Sequence, residues 1–340
     1  MQTKRRFRCR GSSALALLVL LLAGCSSGAD EQVPPGALVV DLPGAAKQID
    51  FDDIVYSQRL NRIIVPARGS GLYLVDPDSG EATRVVDTPV ASANKGGGLL
   101  FLADRDGRKI IIVDPANDRV LSSTATAAAP DYIRYVPATQ ELWVTEPRAD
   151  PTPGIEIFAI DTTGQEPSAH KNGFVDVPGG PEGLELSASR HTAYTHGGRD
   201  LVAIDLPARR VVGRLATGCA GTHGFPRVDD QRGVVLASCA EGGAVTLVDL
   251  EDGHQLGQYR VGGGESLPGY SVRSGHFYVR SDPGATLATL QPTSTGLTEV
   301  ATVTVPEVGH CLTADNRGHY WTCDANNGRL LRFEDNAVTG

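Results

Sequence analysis

The sequence has little methionine, an excess of acidic over basic residues, and almost no long helical periodicity. Met1 is the only methionine, so a thioether copper site is excluded once the N-terminus is processed. Lys and Arg number 31 against 40 Asp and Glu, which disfavours a nucleic-acid binder because such a protein needs a basic face to meet phosphates. Short β-branched runs bounded by Gly, Asp, Asn and Pro take the place of helical patterns, which favours an all-β fold.

Catalytic signatures are also missing. The sequence has no G-x-S-x-G nucleophile elbow, no P-loop and no G-x-G-x-x-G dinucleotide fingerprint. No nucleophile and base stand at a diagnostic spacing, although scattered Ser, His and Asp side chains can still converge in a fold. We therefore assign no catalytic residue and expect a protein that binds rather than catalyses.

The N-terminus has the pattern of an export signal. Five basic residues precede an uninterrupted apolar run, Ala14–Ala23, which is too short to remain as a membrane-spanning helix. The run ends in Leu22-Ala23-Gly24-Cys25, which resembles a bacterial lipobox. The resemblance implies a lipoprotein signal peptide over residues 1–24 and acylation of Cys25 as the mature N-terminus. The alternative is an ordinary signal peptide with a chance cysteine.

Removal of residues 1–24 changes the charge balance. It deletes five basic residues and no acidic one, so the net charge falls from −9 to −14. Charge does not draw such an acidic protein to anionic lipid or nucleic acid, so we expect the lipid on Cys25 alone to anchor it, outside the cytoplasm. Residues 25–36 are polar and rich in proline near their end, which predicts a tether between the lipid and a folded domain over residues 37–340.

One signature recurs along the domain: an apolar run that ends in Val-Asp or Ile-Asp, often followed by Pro or Leu. Its last residue is Asp76, Asp114, Asp161, Asp205 or Asp249, and degenerate copies end at Gln291 and Glu334. The copies follow one another at intervals of 38 to 47 residues, which is the length of a four-stranded propeller blade. Seven copies predict an all-β, seven-bladed β-propeller with four-stranded antiparallel blades.

Two details of this propeller can be predicted. The last blade lacks residues for its outer strand, and Ala37–Leu42 precedes blade 1 without a blade of its own. We predict that this segment supplies the outer strand of blade 7 and closes the ring, the alternative being a loose N-terminal arm. The aspartates of the signature are interpreted as turn formers whose side chains accept hydrogen bonds from nearby backbone N–H groups; a ring of calcium ligands is the alternative.

The Val-Asp-Pro pattern, at Val75-Asp76-Pro77 and Val113-Asp114-Pro115, resembles the YVTN-repeat family of WD-like, seven-bladed propellers in bacterial exported proteins. The resemblance covers about residues 37–337. It implies the fold and leaves the function open, because propellers host many unrelated activities.

Four cysteines remain in the mature domain, an even number that favours disulfides in an exported protein. The midpoints of Cys219 and Cys239 and of Cys311 and Cys323 both fall in predicted turns. Residues equidistant from a hairpin turn face each other across antiparallel strands. We therefore predict that each pair forms a disulfide between the first two strands of its blade.

The segment Cys219…His223-Gly224…Cys239 resembles part of periplasmic zinc chaperones that are themselves β-propellers and serve zinc importers. The resemblance covers about 25 residues and implies zinc binding, although the His-rich segment of that family is absent. Aligning the blades places a polar set at the funnel, where the innermost strands begin: Asp52, Asp53, Asp131, Tyr132, Glu182, His223, Tyr270 and His310. From this set we predict a site for zinc or another divalent cation made by His223, His310, Glu182 and Asp131.

A different class of function is a metal-dependent hydrolase. Six-bladed gluconolactonase-like propellers hold a metal with Glu, Asn and Asp from inner strands, and Pro181-Glu182-Gly183-Leu184 is similar to the start of such a strand. The predicted blade number differs, and the predicted inner strands of blades 3 to 6 contain no Asn. We therefore favour a non-catalytic binding or scaffold protein of the cell envelope, with a metal importer or another envelope protein as partner and no nucleic acid.

Overall fold

The structure, a computed structural model, describes residues 33–336. The predicted signal peptide and the predicted lipidation site Cys25 lie outside the described residues. Within the described part, the chain is almost entirely strand, with a single 3-10 turn at Ala325–Asn327. No helix in that part is long and apolar enough to cross a membrane.

Seven antiparallel sheets form the seven blades of a ring, as predicted. Strand β1 (Leu38–Asp41) precedes them. Blade 1 contains β2 (Asp50–Phe51), β3 (Val55–Ser57), β4 (Arg62–Arg68), β5 (Gly71–Val75) and β6 (Ala82–Val86). Blade 2 contains β7 (Ser92–Gly96), β8 (Leu99–Asp104), β9 (Lys109–Asp114) and β10 (Arg119–Ala125). Blade 3 contains β11 (Ile133–Val136), β12 (Glu141–Glu146), β13 (Gly154–Asp161) and β14 (Ser168–Asp176).

The remaining blades follow the same order. Blade 4 contains β15 (Pro181–Ser187), β16 (Thr192–Gly197), β17 (Asp200–Asp205) and β18 (Arg210–Ala216). Blade 5 contains β19 (Arg227–Asp229), β20 (Val234–Ser238), β21 (Ala244–Asp249) and β22 (Gln255–Arg260). Blade 6 contains β23 (Ser266–Tyr270), β24 (Phe277–Ser281), β25 (Thr286–Thr293) and β26 (Gly296–Thr304). Blade 7 contains β27 (Leu312–Ala314), β28 (His319–Asp324) and β29 (Arg329–Glu334).

The burial of each strand reflects its position in the blade. Middle strands such as β5 and β20 are buried at every residue, because both faces of a blade pack against neighbouring blades. Outer strands such as β18 alternate between exposed and half-buried residues, because one edge and part of one face meet water. The apolar core therefore lies between blades; one cluster, for example, joins Ile64 and Leu72 of blade 1 to Leu100 and Leu102 of blade 2.

Ring closure follows the prediction. Strand β1 pairs antiparallel with β29, from Leu38 opposite Arg332 to Asp41 opposite Arg329, and becomes the outer strand of blade 7. Val40 of this strand is 2% exposed and packs in the cluster between blades 7 and 1. The first and last strands of the described chain thus complete one sheet, and β1 covers the edge that β29 would otherwise leave unpaired.

The signature aspartates are turn formers, as interpreted. Asp76 Oδ1 accepts hydrogen bonds from the backbone N–H groups of Asp78 and Ser79, at 2.9 and 3.0 Å. The other full copies do the same with the second or third residue that follows: Asp114, Asp161, Asp205 and Asp249. These bonds stabilise the ionised carboxylate and lower the pKa of Asp76, which explains why an acidic residue ends the repeat.

Both predicted disulfides are present. Cys311 and Cys323 flank the register pair Leu312 and Thr322, as expected for the first two strands of a blade, and their Cα atoms are 5.8 Å apart. Cys219 and Cys239 are also bonded, with Cα atoms 5.3 Å apart. The location of Cys219 on an inner strand was predicted wrongly, since it lies in the loop before β19.

Glycines explain this difference in blade 5. Gly218 and Gly224 adopt positive φ angles of 72° and 65°, which are incompatible with an extended ladder, so the inner strand starts only at Arg227. Before Arg227, the pairing of this segment with the second strand is reduced to an isolated β-bridge between Thr222 and Cys239. Two disulfides in the described chain indicate an oxidising, extracytoplasmic environment.

Candidate functional site

The first strands of neighbouring blades contact one another around the axis of the ring and line a central channel. We name the end where these strands begin the N-terminal mouth, and the end where they finish the C-terminal mouth. Polar side chains gather at both. The polar funnel set and the metal site predicted from the sequence concern the N-terminal mouth alone.

The N-terminal mouth brings together three of the four predicted metal ligands. His223 Nε2 lies 3.9 Å from Glu182 Oε1, and the ring of His223 meets that of His310 edge-on with centroids 5.4 Å apart. Glu265, which sequence reasoning missed, places Oε2 3.3 Å from His223 Nδ1. Blades 4, 5, 6 and 7 therefore each contribute one imidazole or carboxylate to this group.

Local backbone structure positions His223 at this point. Its N–H donates to Ser238 O at 3.3 Å, so the residue is attached to the end of β20 near the Cys219–Cys239 disulfide. The next residue, Gly224, has φ +65°, and a Cβ there would lie 2.9 Å from Leu267. The chain thus needs glycine to turn away immediately after presenting the imidazole.

The fourth predicted ligand, Asp131, lies in a neighbouring group. Arg105, in the turn after β8, forms ion pairs with Asp131 and with Asp52, the latter at 3.1 Å. The hydroxyl of Tyr132 also donates to Asp52 at 2.9 Å. The carboxylate of Asp131 is therefore already compensated by a guanidinium, and a cation would have to displace Arg105 to use it.

Burial shifts the pKa values at this mouth. It lowers the pKa of His223, with the neighbouring His310 lowering it further and Glu265 opposing the shift. It raises the pKa of Glu182, helped by the charge of Asp52. The imidazole of His223 is thus neutral at pH 7, and its buried Nδ1 makes no hydrogen bond within the described residues despite the nearby carboxylate.

The tightest group of potential metal ligands in residues 33–336 lies elsewhere. Asp249, Asp252 and His254 have ligand atoms within 4.8 Å of one another, in the turn between β21 and β22 on the outside of blade 5. Asp249 accepts a hydrogen bond from the backbone N–H of Glu251 in this turn, and His254 Nδ1 pairs with Asp252 at 2.5 Å. The residues of the N-terminal mouth are spaced more widely than this group, so metal binding at the mouth stays a prediction.

A buried ion pair between Asp53 and Arg134 lies between the two mouths. Sequence reasoning identified its carboxylate and missed its guanidinium. Asp53, expected to face the funnel, is fully buried and accepts hydrogen bonds from Arg134 at 2.5 and 3.1 Å and from Ser92 Oγ at 2.9 Å. Arg134 also lines the C-terminal mouth. The pair therefore separates the acidic N-terminal mouth from the chamber at the other end.

The C-terminal mouth opens into a cavity of about 600 Å³. Its charged lining includes Lys95 of β7, Arg134 of β11, and Glu185 of β15, which pairs with Arg227 of β19 at 3.1 Å. Tyr270 lies here as well, so its predicted location at the start of an inner strand was wrong: β23 begins at Ser266, and Tyr270 ends it.

Sequence reasoning missed the cations of this cavity, although a signal exists. Arg134 and Lys95 are charged residues inside short inner strands, and each follows a buried residue, Ile133 and Asn94 respectively. In a strand that otherwise faces the core, a charged residue indicates a lined channel or a buried pair.

Comparisons with known proteins support the fold. No family model matches the chain, and no curated protein matches it. Among solved structures, it is similar to a chain of the mitotic checkpoint complex at a TM-score of 0.73 and 14% identity, covering 95% of this chain and 98% of that one. It is also similar to the WD40 repeats of RRP9, at a TM-score of 0.72 and 12% identity over 89% and 99% of the two chains.

A third similar structure comes from the hydrazine synthase of Kuenenia stuttgartiensis, at a TM-score of 0.66 and 13% identity over 86% of this chain and 98% of that one. Identities this low carry no information on ligands or activity. The folds of these three structures agree with the seven sheets of the ring: the chain is a seven-bladed, WD40-like β-propeller.

Proposed function

We propose that this protein is an extracytoplasmic, lipid-anchored propeller of the YVTN-repeat type that acts as a non-catalytic binding module. In this proposal its N-terminal mouth holds a divalent cation, with zinc as the first candidate. The observation that carries the cation proposal is the convergence of His223, His310, Glu182 and Glu265 from four blades around one channel opening.

The donor set suits zinc. Neutral imidazole and carboxylate are good zinc ligands, and the lowered pKa of His223 keeps its nitrogens free of a second proton at pH 7. The unpartnered Nδ1 of His223 supports this assignment, because a buried ring nitrogen without a hydrogen bond costs stability unless a ligand uses it. The nearby cysteines are joined in disulfides, so thiolate ligation is not part of the proposal.

Calorimetric titration of the purified, oxidised protein with zinc tests the site. We expect binding tighter than millimolar, at one equivalent, and a loss of at least tenfold in His223→Ala and in His310→Ala. His170→Ala is the matched control, because His170 is exposed on the outer strand of blade 3. Binding no tighter than millimolar, or equal binding by all variants, would reject the cation site.

The lipid anchor and the partner are separate parts of the proposal. Labelling of cells with a fatty-acid analogue should mark the wild-type protein and not Cys25→Ser, and the variant should leave the membrane fraction. Crosslinking in intact envelopes should then recover a partner, and a metal importer is the candidate that fits zinc delivery. An unlabelled wild-type protein would reject the anchor without affecting the cation site.

Hydrolysis of a lactone is the alternative function at the same mouth. The related enzymes use Asn ligands beside the Glu, and the inner-strand asparagine of the described chain, Asn94, lines the opposite mouth. Binding is therefore the better-supported function. Metal-dependent turnover of a lactone panel that is abolished in Glu182→Ala would replace it with the hydrolase.

A further inference from the structure

Three cations from three different blades converge in the cavity of the C-terminal mouth. Lys95, Arg134 and Arg227 all line its wall, on β7, β11 and β19. They interact electrostatically: the positive charges of Arg134 and Arg227 both act on Lys95. Bringing like charges together in a partly buried space is unfavourable unless anions offset them.

Two of the three cations have a partner within the protein. Arg134 donates to both carboxylate oxygens of Asp53, and Arg227 donates to Glu185 at 3.1 Å while lying 4.1 Å from the ring centroid of Phe225. Lys95 has no hydrogen bond or ion pair within residues 33–336. Besides Glu185, the described residues of the cavity wall include one carboxylate, Asp230, which is exposed at the rim and accepts a hydrogen bond from Ser187.

We propose that this cavity binds a small organic carboxylate, whose anionic group pairs with the ammonium of Lys95. Lys95 is the cation of the wall that has no ion-pair partner within residues 33–336, and one carboxylate would supply that partner. The neighbouring guanidinium of Arg227 stabilises the same anion from the adjoining part of the wall. The site shares no residue with the N-terminal mouth, so the carboxylate proposal can be tested independently of the cation proposal.

The size and lining of the cavity favour an organic molecule over a bare inorganic ion. A volume of about 600 Å³ lies in the usual range for small-molecule sites. Polar and aromatic groups surround the cations, among them Asn94, Tyr135, Gln231, Tyr270 and Asn316. Hydroxyl and amide groups of this kind suit a hydroxylated acid, since they can hydrogen-bond a polyol body while Lys95 holds its carboxylate.

The titration of Lys95 supports this site and gives it a measurable signature. Burial, together with the charges of Arg134 and Arg227, lowers the pKa of Lys95 to about 8, although Glu185 and Asp53 oppose the shift. The ammonium form that attracts an anion therefore predominates at pH 7 and is lost as pH rises through 8. Affinity should fall about tenfold between pH 7 and pH 9, in proportion to the protonated fraction.

Calorimetry with defined probes tests the proposal. Glucuronate, succinate and benzoate are the carboxylate probes, glucose is the uncharged match for glucuronate, and inorganic phosphate is the competing oxyanion. We expect at least one carboxylate to bind below millimolar, and glucuronate to bind at least tenfold more tightly than glucose. Absence of binding by all three carboxylates, or phosphate binding more tightly than each of them, would overturn the proposal.

Variants separate the lysine from general charge effects. Lys95→Gln should weaken carboxylate binding at least tenfold, whereas Lys47→Gln, at an exposed lysine outside the channel, should bind as the wild type does. Lys95→Arg keeps a charge that does not titrate, so it should bind at pH 9 as tightly as at pH 7. Unchanged affinity in Lys95→Gln, or the same tenfold loss at pH 9 in Lys95→Arg, would contradict the role of Lys95.

Discussion

Arg134 donates hydrogen bonds to both carboxylate oxygens of Asp53, at 2.5 and 3.1 Å, and so joins blade 3 to blade 1 at the axis of the ring. Asp53 also accepts a hydrogen bond from Ser92 of blade 2. One buried carboxylate therefore connects the inner strands of three blades, and it separates the two mouths of the channel.

Removing one partner of this pair should be costly. Asp53→Asn leaves the guanidinium of Arg134 buried without its counter-charge, and we expect a loss of about 3–5 kcal/mol in the free energy of unfolding. Urea unfolding followed by tryptophan fluorescence measures it. Arg119→Ala breaks the exposed pair with Glu166 and should cost less than about 1 kcal/mol. An Asp53→Asn protein as stable as Arg119→Ala would show that the central pair is not a structural link.

Two substitutions in the four-residue strand β1 test whether this strand closes the ring. Val40→Asp places a charge in the cluster between blades 7 and 1, and should destabilise the protein by about 3 kcal/mol or more. Leu38→Asp lies in the same strand at a side chain that is 40% exposed, and should change stability by less than about 1 kcal/mol. Thermal unfolding compares the two. Equal melting temperatures would contradict a packed closing strand.

His196 should make the protein sensitive to acid. Its ring is buried, Nδ1 lies 3.0 Å from Gly224 O, and Nε2 accepts from the N–H of Ser238 at 3.3 Å, so the neutral form fits the site. Burial lowers its pKa to about 4. The unfolded state takes up a proton near pH 6.5 and the folded state resists it, so stability is lost as pH falls from 6.5 towards 4. The loss is about 1.4 kcal/mol per pH unit.

Urea unfolding at pH 7 and pH 4.5 measures this effect. The difference between the two values should be smaller in His196→Gln than in the wild type, because glutamine carries no ionisable group. His254→Gln is the control at an exposed histidine. A wild type and a His196→Gln variant that lose equal stability on acidification would exclude His196 as the cause.

Zinc binding should persist to lower pH than the ordinary histidine pKa of 6.5 allows. Because the pKa of His223 is lowered below 6.5, its neutral form predominates at pH 6.5, and less than half a proton is released from it when a metal binds at that pH. Calorimetry in two buffers of different ionisation enthalpy counts the released protons. Release of half a proton or more that disappears in His223→Ala would show that His223 titrates normally.

The fold was predictable because its period is carried by residues with a local physical role. Asp76 and its equivalents recur since each ends a strand and forms the following turn, and this spacing counts the blades. Closure by β1 was predictable for a different reason: the last blade lacked residues for a fourth strand.

The repeat alignment placed Glu182, His223 and His310 at the N-terminal mouth because it locates the start of each inner strand to within a few residues. Tyr270 was misplaced because an error of that size spans the whole of the short strand β23, which Tyr270 ends. Arg105 and Glu265 were missed because they reach the mouth from a turn and from a short loop, whose paths depend on tertiary packing. Lys95 was missed because only the starts of the inner strands were assigned to the channel, and Lys95 lies near the end of β7.

The pairing of Leu38 with Arg332 joins residues from opposite ends of the domain. During synthesis or export, β1 emerges first, and its partner β29 emerges only after six blades have passed. The ring therefore completes its last sheet through the contact with the largest sequence separation, whose loop-closure entropy makes it slow to form. Until then the edge of β29 and the apolar face of Val40 are open to other chains, so the interval before closure is when this protein is most prone to aggregate.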